Sequence, residues 1–340
     1  MKLCARCILP ETFPGVVIDA DGVCSHCRKA EGKKTRLEDE KKKYELKFSE
    51  LLVGLGMGRA STGGGAQRAY DVLMAYSGGK DSTYTMSLLR KKYNLRVLAF
   101  SLDNGFLSPA AVTNIKTVTD FLGVDHILFK PHWDILKKIF TTASERELYS
   151  KKTLERASTI CTSCIGLVKA LCLKTALEQD IPLVAFGWSP GQAPMESSIM
   201  KNNPSLIKMA QQAILQPLRS VVDDGVDAYF LQEKHYAMPE RFPFNVHPMA
   251  WEYYNEEMIL KDIQQLGWSA PQDTDSNSSN CLLNAYANDI HIKKYGFHPY
   301  VWEIANMVRD GVMTREEGHE KIYGKQKEHL IRLAQEKLSS

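Results

Sequence analysis

From Tyr70 onward, short apolar runs alternate with amphipathic ones. Residues 72–76, 96–102, 126–129 and 183–186 are brief, apolar and bounded by polar or turn-forming residues, which predicts strands. Between them, residues 82–92, 110–122, 133–140 and 165–179 place apolar side chains at helical spacing. Strand and helix in strict alternation describe βαβ units and a doubly wound parallel sheet, an α/β fold. Past Gln192 the pattern weakens, with helices expected at 251–266 and 300–312. A last helical segment, 314–338, opens with Thr314 and Glu317 spaced as a capping box. The second half therefore reads as a helical extension on the sheet. Upstream, 36–52 has helix-like spacing, and six glycines between 54 and 65 read as a linker. The expected division is a cysteine-rich module at 1–35, a helix and linker at 36–69, the sheet domain at 70–195 and the extension at 196–340.

Composition narrows the class without naming a function. The 340 residues are 44% hydrophobic and 24% charged, ordinary for a globular protein. No stretch approaches the run of ~20 apolar residues that crosses a bilayer, so no membrane association is expected. The first residues lack the apolar core of a signal peptide, which makes a reducing cytoplasm the expected compartment. There, eight cysteines point to metal or catalysis. A net charge of +3 neither requires nor excludes RNA as a partner.

Two pairs, Cys4-x-x-Cys7 and Cys24-x-x-Cys27, stand sixteen residues apart, the spacing of two knuckles closing on one tetrahedral Zn²⁺. So short a segment cannot bury enough apolar surface, and the metal would supply the folding energy. His26 lies inside the second knuckle as a spare ligand, and a redox dithiol or an iron site are the other readings of the four cysteines.

The hexapeptide Ser77-Gly78-Gly79-Lys80-Asp81-Ser82 joins the first predicted strand to the first predicted helix of the sheet. Glycines let the backbone approach an oxyanion, and a helix N-terminus favours phosphate. Lys80 adds charge, Ser77 and Ser82 add hydroxyls, and Asp81 suits Mg²⁺. The spacing is not Walker A. It resembles the Ser-Gly-Gly-x-Asp-Ser signature of the PP-loop ATP pyrophosphatases, the adenine nucleotide alpha-hydrolase-like superfamily, which cleave ATP between the α and β phosphates. The resemblance implies a Rossmann-like HUP sheet. It also places Asp103, at the end of the second strand, and Gly187, after the fourth, beside the nucleotide. Read without the family, Asp103 is a turn residue before Asn-Gly and Gly187 belongs to an ordinary turn.

Cys161-Thr-Ser-Cys164 precedes the helix predicted at 165–179. It resembles the tRNA-thiolating branch of the family, in which such a pair and one distant cysteine, here Cys281, hold a [4Fe-4S] cluster with one iron left open. The residues themselves also allow a persulfide-carrying dithiol, a second zinc site or inert packing, and Cys172 reads as a packed thiol. The stretch from Met313 to Gly318 around Arg315 is similar to bacterial amidotransferases of N-acetylated sugars, which differ at Lys80 and lack the Cys161 and Cys164 pair. The resemblance thus implies an ATP-dependent sulfurtransferase. An acceptor oxygen is adenylated, pyrophosphate leaves, and sulfur replaces the activated oxygen. Asp81 and Asp103 would serve metal and substrate, while Cys161 and Cys164 handle sulfur. The implied partners are a sulfur donor, either free sulfide or a persulfide carrier, and an acceptor that is a tRNA or a small molecule; a homodimer is compatible with this reading. The alternatives are an amidotransferase fed with ammonia by a glutaminase and a non-catalytic nucleotide-binding scaffold.

Overall fold

A computed structural model describes residues 1–31, 34–57, 68–275 and 277–340. Most of the expected glycine linker lies outside the described residues. The described residues form a six-stranded sheet, β1 (Val72–Ala75), β2 (Val97–Leu102), β3 (Asp125–Phe129), β4 (Leu183–Phe186), β5 (Ile199–Lys201) and β6 (Phe244–Val246), in the order β3-β2-β1-β4-β6-β5. All neighbours are parallel except the edge strand β5, which runs antiparallel to β6. The central strands read as unbroken apolar runs because both faces of the sheet are covered. Leu73, Leu98, Phe100 and Val184 enter one core, and Val72, Met74, Val97 and Leu183 enter the other.

The helices are α1 (Ser25–Ala30), α2 (Lys34–Gly54), α3 (Lys80–Ser87), α4 (Pro109–Leu122), α5 (Trp133–Glu145), α6 (Thr159–Glu178), α7 (Pro204–Val222), α8 (Glu233–Tyr236), α9 (Glu256–Gln264), α10 (Asn284–Tyr295), α11 (Val301–Arg309), α12 (Arg315–Tyr323) and α13 (Glu328–Ser339). Side chains of α2, α3, α4 and α9 fill one core, and those of α5, α6, α7, α10 and α13 the other.

Four expectations need correction. The second half is not only a helical extension, because β5 and β6 complete the sheet. Strands of three residues carry too little period to be read from sequence. The segment 314–338 is two helices, broken between Tyr323 and Glu328, although the Thr314 capping box forms as expected. Helix α6 begins six residues before its expected start, because the Ser158 hydroxyl caps it by accepting the Cys161 N–H at 3.1 Å. This helix is also long and apolar enough to cross a membrane, contrary to the reading of the sequence, but 56% of its apolar window is buried inside the protein, as in a core helix.

The cysteine-rich start does not stand apart. Ile8, Leu9 and Phe13 share a core with Phe297, Val301, Ile304 and Met307, so α11 covers the knuckles. Tyr323 of α12 donates its hydroxyl to Ile8 O at 3.0 Å, and Arg315 donates to Cys4 O at 3.3 Å.

Candidate active site

Because β1 pairs with β2 on one side and β4 on the other, the chain leaves β1 and β4 at the point where strand order reverses, and a crevice opens beyond their carboxyl ends. The loop 77–82 enters that crevice. Gly78 has a φ of +75°, and a Cβ there would lie 2.6 Å from Ala111 O on α4, so its freedom serves close packing behind the loop. Gly79 is the N-cap of α3. Across the crevice, a Cβ on Gly187 would lie 2.4 Å from Ser82 Cα, so only glycine lets β4 pass this close to the start of α3. Ser77 and Ser82 hydroxyls meet at 3.1 Å.

The loop opens on a cavity of about 600 Å³. Ser77, Gly79, Lys80, Asp81, Ser82 and Gly187 line it, and so do Cys161, Cys164 and Cys281. The structure therefore brings a phosphate-type loop and the second cysteine set to one space. Asp103 does not join them. Its Oδ1 accepts the Gly105 N–H at 2.8 Å, its Oδ2 lies 3.8 Å from Lys130 Nζ, and its neighbours Leu102 and Asn104 line the cavity instead.

Several lining residues had no signal in the sequence. Lys80 Nζ donates to Tyr254 Oη at 2.8 Å and pairs with Glu256 at 3.0 Å and Asp81 at 3.5 Å. Burial opposes its charge, yet Asp81, Tyr254 and Glu256 together hold the ammonium above the ordinary lysine range. Burial raises the Asp81 carboxyl, with Lys80 opposing. Ser279 Oγ accepts the Lys80 backbone N–H at 3.0 Å, and Trp268 Nε1 donates to Gly78 O at 2.9 Å. Residues 268–275 and 277–281 thus fold over the loop. Glu303 of α11 accepts the Ser189 hydroxyl at 2.5 Å, and burial pushes its carboxyl up to about 7. Lys169 Nζ lies 4.7 Å over the Trp188 ring, which stacks on His247 at 4.2 Å. Only the local runs Ser278-Ser-Asn280 and Asp103-Asn-Gly105 could have hinted at polar loops here.

Cys161 and Cys164 stand within the first two turns of α6, three residues apart and so on one face. Cys281 arrives from the covering segment, where it bridges to Leu107. Burial pushes the Cys161 and Cys164 thiols up to about 12, and Cys281 upward as well; nearby charge at Cys281 adds to the shift of the other two. Cys172 is fully buried in the core of the sheet.

The first cysteine set is of another kind. The sulfurs of Cys4, Cys7, Cys24 and Cys27 lie within 4.8 Å of one another, with 3.8 Å between Cys4 and Cys27 and 3.6 Å between Cys7 and Cys24. Hydrogen bonds from Cys27 and Cys7 pull the Cys24 thiol far below the ordinary range, and its bond to Cys24 pushes Cys7 up to about 12. Arg309 donates to Cys7 Sγ at 3.1 Å. Among the described residues this is the one group of potential ligands close enough for a single ion.

No family model matches the chain. It is 24% identical over 253 residues to the uncharacterized protein MJ1599 of Methanocaldococcus jannaschii, covering 74% of this chain and 72% of that one. A search of solved structures finds the U34-tRNA thiolase NcsA from Methanococcus maripaludis with its [4Fe-4S] cluster, covering all of this chain and 89% of that one, at 14% identity and a TM-score of 0.38. A strand, the hexapeptide 77–82 and a helix meet at the reversal point of a parallel sheet, the arrangement expected of the loop from its sequence.

Proposed function

We propose that this protein is an ATP-dependent sulfurtransferase. The observation that carries the reading is that one cavity is lined both by the loop 77–82 and by Cys161, Cys164 and Cys281. Nucleotide activation and sulfur delivery need to reach the same acceptor atom, and few arrangements serve both so directly. In this reading Gly79, Lys80 and Ser82 hold the β and γ phosphates of ATP, with Asp81 toward Mg²⁺ and Gly187 leaving room beside the nucleotide. An acceptor oxygen attacks the α-phosphorus, pyrophosphate leaves, and a sulfur nucleophile then displaces AMP. Fixed donors at the phosphorus supply the main stabilisation of that charge-rich transition state.

The three cysteines fit a [4Fe-4S] cluster. They come from two segments, line one space, and would supply three thiolates to it. Such a cluster, when bound, supplies an open iron that takes sulfide. The protein's part is to hold the three sulfurs and exclude other ligands. At the amino end, four sulfurs within 4.8 Å of one another, two pairs of them 3.6 and 3.8 Å apart, suit the tetrahedral shell of Zn²⁺ with Zn–S of ~2.3 Å, a closed structural site. Asp103 serves as a turn residue that orients its neighbours. The acceptor is a tRNA or a small molecule, and the sulfur donor is sulfide or a persulfide carrier.

The test is anaerobic purification with iron, sulfide and zinc analysis, followed by pyrophosphate release with ATP, sulfide and candidate acceptors. Wild type is expected to hold iron, and Cys161→Ala or Cys281→Ala to lose iron and sulfur transfer together. Turnover with ammonia that survives both substitutions would replace this reading with an amidotransferase.

A further inference from the structure

Asn104 follows β2 directly and is 7% exposed in the cavity wall. Its Oδ1 accepts the Phe106 backbone N–H at 2.9 Å. A backbone N–H can only donate, so this bond identifies the oxygen end of the amide and turns Nδ2 the other way. There Nδ2 stands 3.5 Å from Cys164 Sγ and 3.7 Å from Cys281 Sγ. The amide nitrogen carries two hydrogens, one for each sulfur.

The turn that presents this amide is fixed from several directions. Asp103 Oδ1 accepts the Gly105 N–H at 2.8 Å. Gly105 has a φ of +82°, and a Cβ there would lie 2.5 Å from the Trp133 ring. Lys337 of α13 donates to Gly105 O and lies 4.9 Å over the Phe106 ring. Cys281 is tied to the same stretch, since Leu282 N–H donates to Phe106 O at 2.9 Å and Ser108 N–H donates to Asn280 O at 2.9 Å. Residues 104–108 thus hold Cys281 through the backbone and both sulfurs through one side chain.

We infer that Asn104 is a positioning residue of the sulfur site, donating its two amide hydrogens to Cys164 and Cys281 and so fixing the spacing of thiolates from distant parts of the chain. This rests on the reading of Cys161, Cys164 and Cys281 as the sulfur centre. Hydrogen bonds to ligand sulfurs draw off negative charge and favour the reduced state of a cluster, and outer partners of this kind orient the ligands themselves. Cys161 has no such donor from Asn104; its neighbours are Ser158 and Tyr300.

Two full-length variants test this. Asn104→Asp keeps the size and the acceptor for Phe106 N–H but replaces the donor end with an acceptor. Asn104→Leu keeps the bulk and removes the amide. After anaerobic reconstitution with iron and sulfide, potentiometric titration read by electron paramagnetic resonance is expected to give a lower midpoint potential for Asn104→Leu, and Asn104→Asp is expected to lose iron. A wild-type potential and iron content in both variants overturns the inference. Metal-free protein gives a second readout. Dibromobimane, which joins two neighbouring thiols, is expected to link Cys164 to Cys281 in wild type and several-fold more slowly in both variants. Equal rates overturn the inference. If wild type takes up no iron, the cluster reading fails, and the cross-linking rates alone decide the role of Asn104.

Discussion

At the amino end, Cys4, Cys7, Cys24 and Cys27 are buried, their sulfurs clustered within 4.8 Å. At the cavity, Cys161, Cys164 and Cys281 are half-buried, come from a helix and a separate loop, and number one fewer. Four thiolates complete a tetrahedral shell and leave no room for substrate, whereas three facing a cavity leave a coordination position toward it. In the proposed reading, the same side chain serves structure where the shell closes and chemistry where it stays open. Count, burial and the origin of the ligands decide which, not the Cys-x-x-Cys spacing common to both.

The widest separation between the two sites should come from removing a ligand of the closed one. Cys24→Ser, or chelation, is expected to release one metal ion and lower the melting temperature by on the order of 10 °C, as loss of a folding metal does. A variant that melts like wild type would break the contrast. Cys281→Ala should do the reverse. Sulfur transfer falls by at least ~10³-fold while stability, read by urea unfolding, changes by about 1 kcal/mol or less, since only a partly exposed side chain is cut back.

Acid should act between the two sites, where His291 packs on Phe297 and His298 on Tyr300. Burial lowers His291 to about 4 and His298 to about 3, and both ring nitrogens of His291 lack a hydrogen bond among the described residues. Below pH 6.5 the unfolded chain takes up protons that the folded one refuses. Stability from these groups is therefore complete above 6.5 and falls as pH drops toward 4 and then 3, by up to about 1.4 kcal/mol per pH unit for each histidine. Urea unfolding at pH 7, 6 and 5 checks this, and His291→Phe should flatten the slope; stability that rises on acidification contradicts it. The smallest effect is expected from Arg309→Leu. It removes the donor to Cys7 Sγ and the cation over the Trp302 ring at 5.3 Å, worth about 1–2 kcal/mol together, and should speed metal loss to a chelator without altering the cavity site.

The central strands, the loop 77–82 and the first cysteine set are legible in the sequence because each depends on neighbours in the chain. An apolar run, a glycine pair before a helix and a four-cysteine spacing are local patterns. What could not be read depends on approach from afar. The turn at Asp103-Asn-Gly is visible, but which of its side chains faces the cavity is settled by Phe106 N–H and Trp133. Glu256 and Ser279 reach Lys80 from α9 and the covering segment, where no local pattern marks them. The true start of α6 is hidden in the sequence because Cys, Thr and Ser are weak helix formers, and the Ser158 cap outweighs them.

The contacts between Arg309 and Cys7, Arg315 and Cys4, and Tyr323 and Ile8 span 302, 311 and 315 residues of chain. During synthesis the two knuckles leave the ribosome about 300 residues before the helices that cover them. Until those helices emerge, the four thiols stand without their apolar cover, open to whichever metal or oxidant the compartment offers. If the four thiols hold an ion, as proposed, its selection begins on the nascent chain.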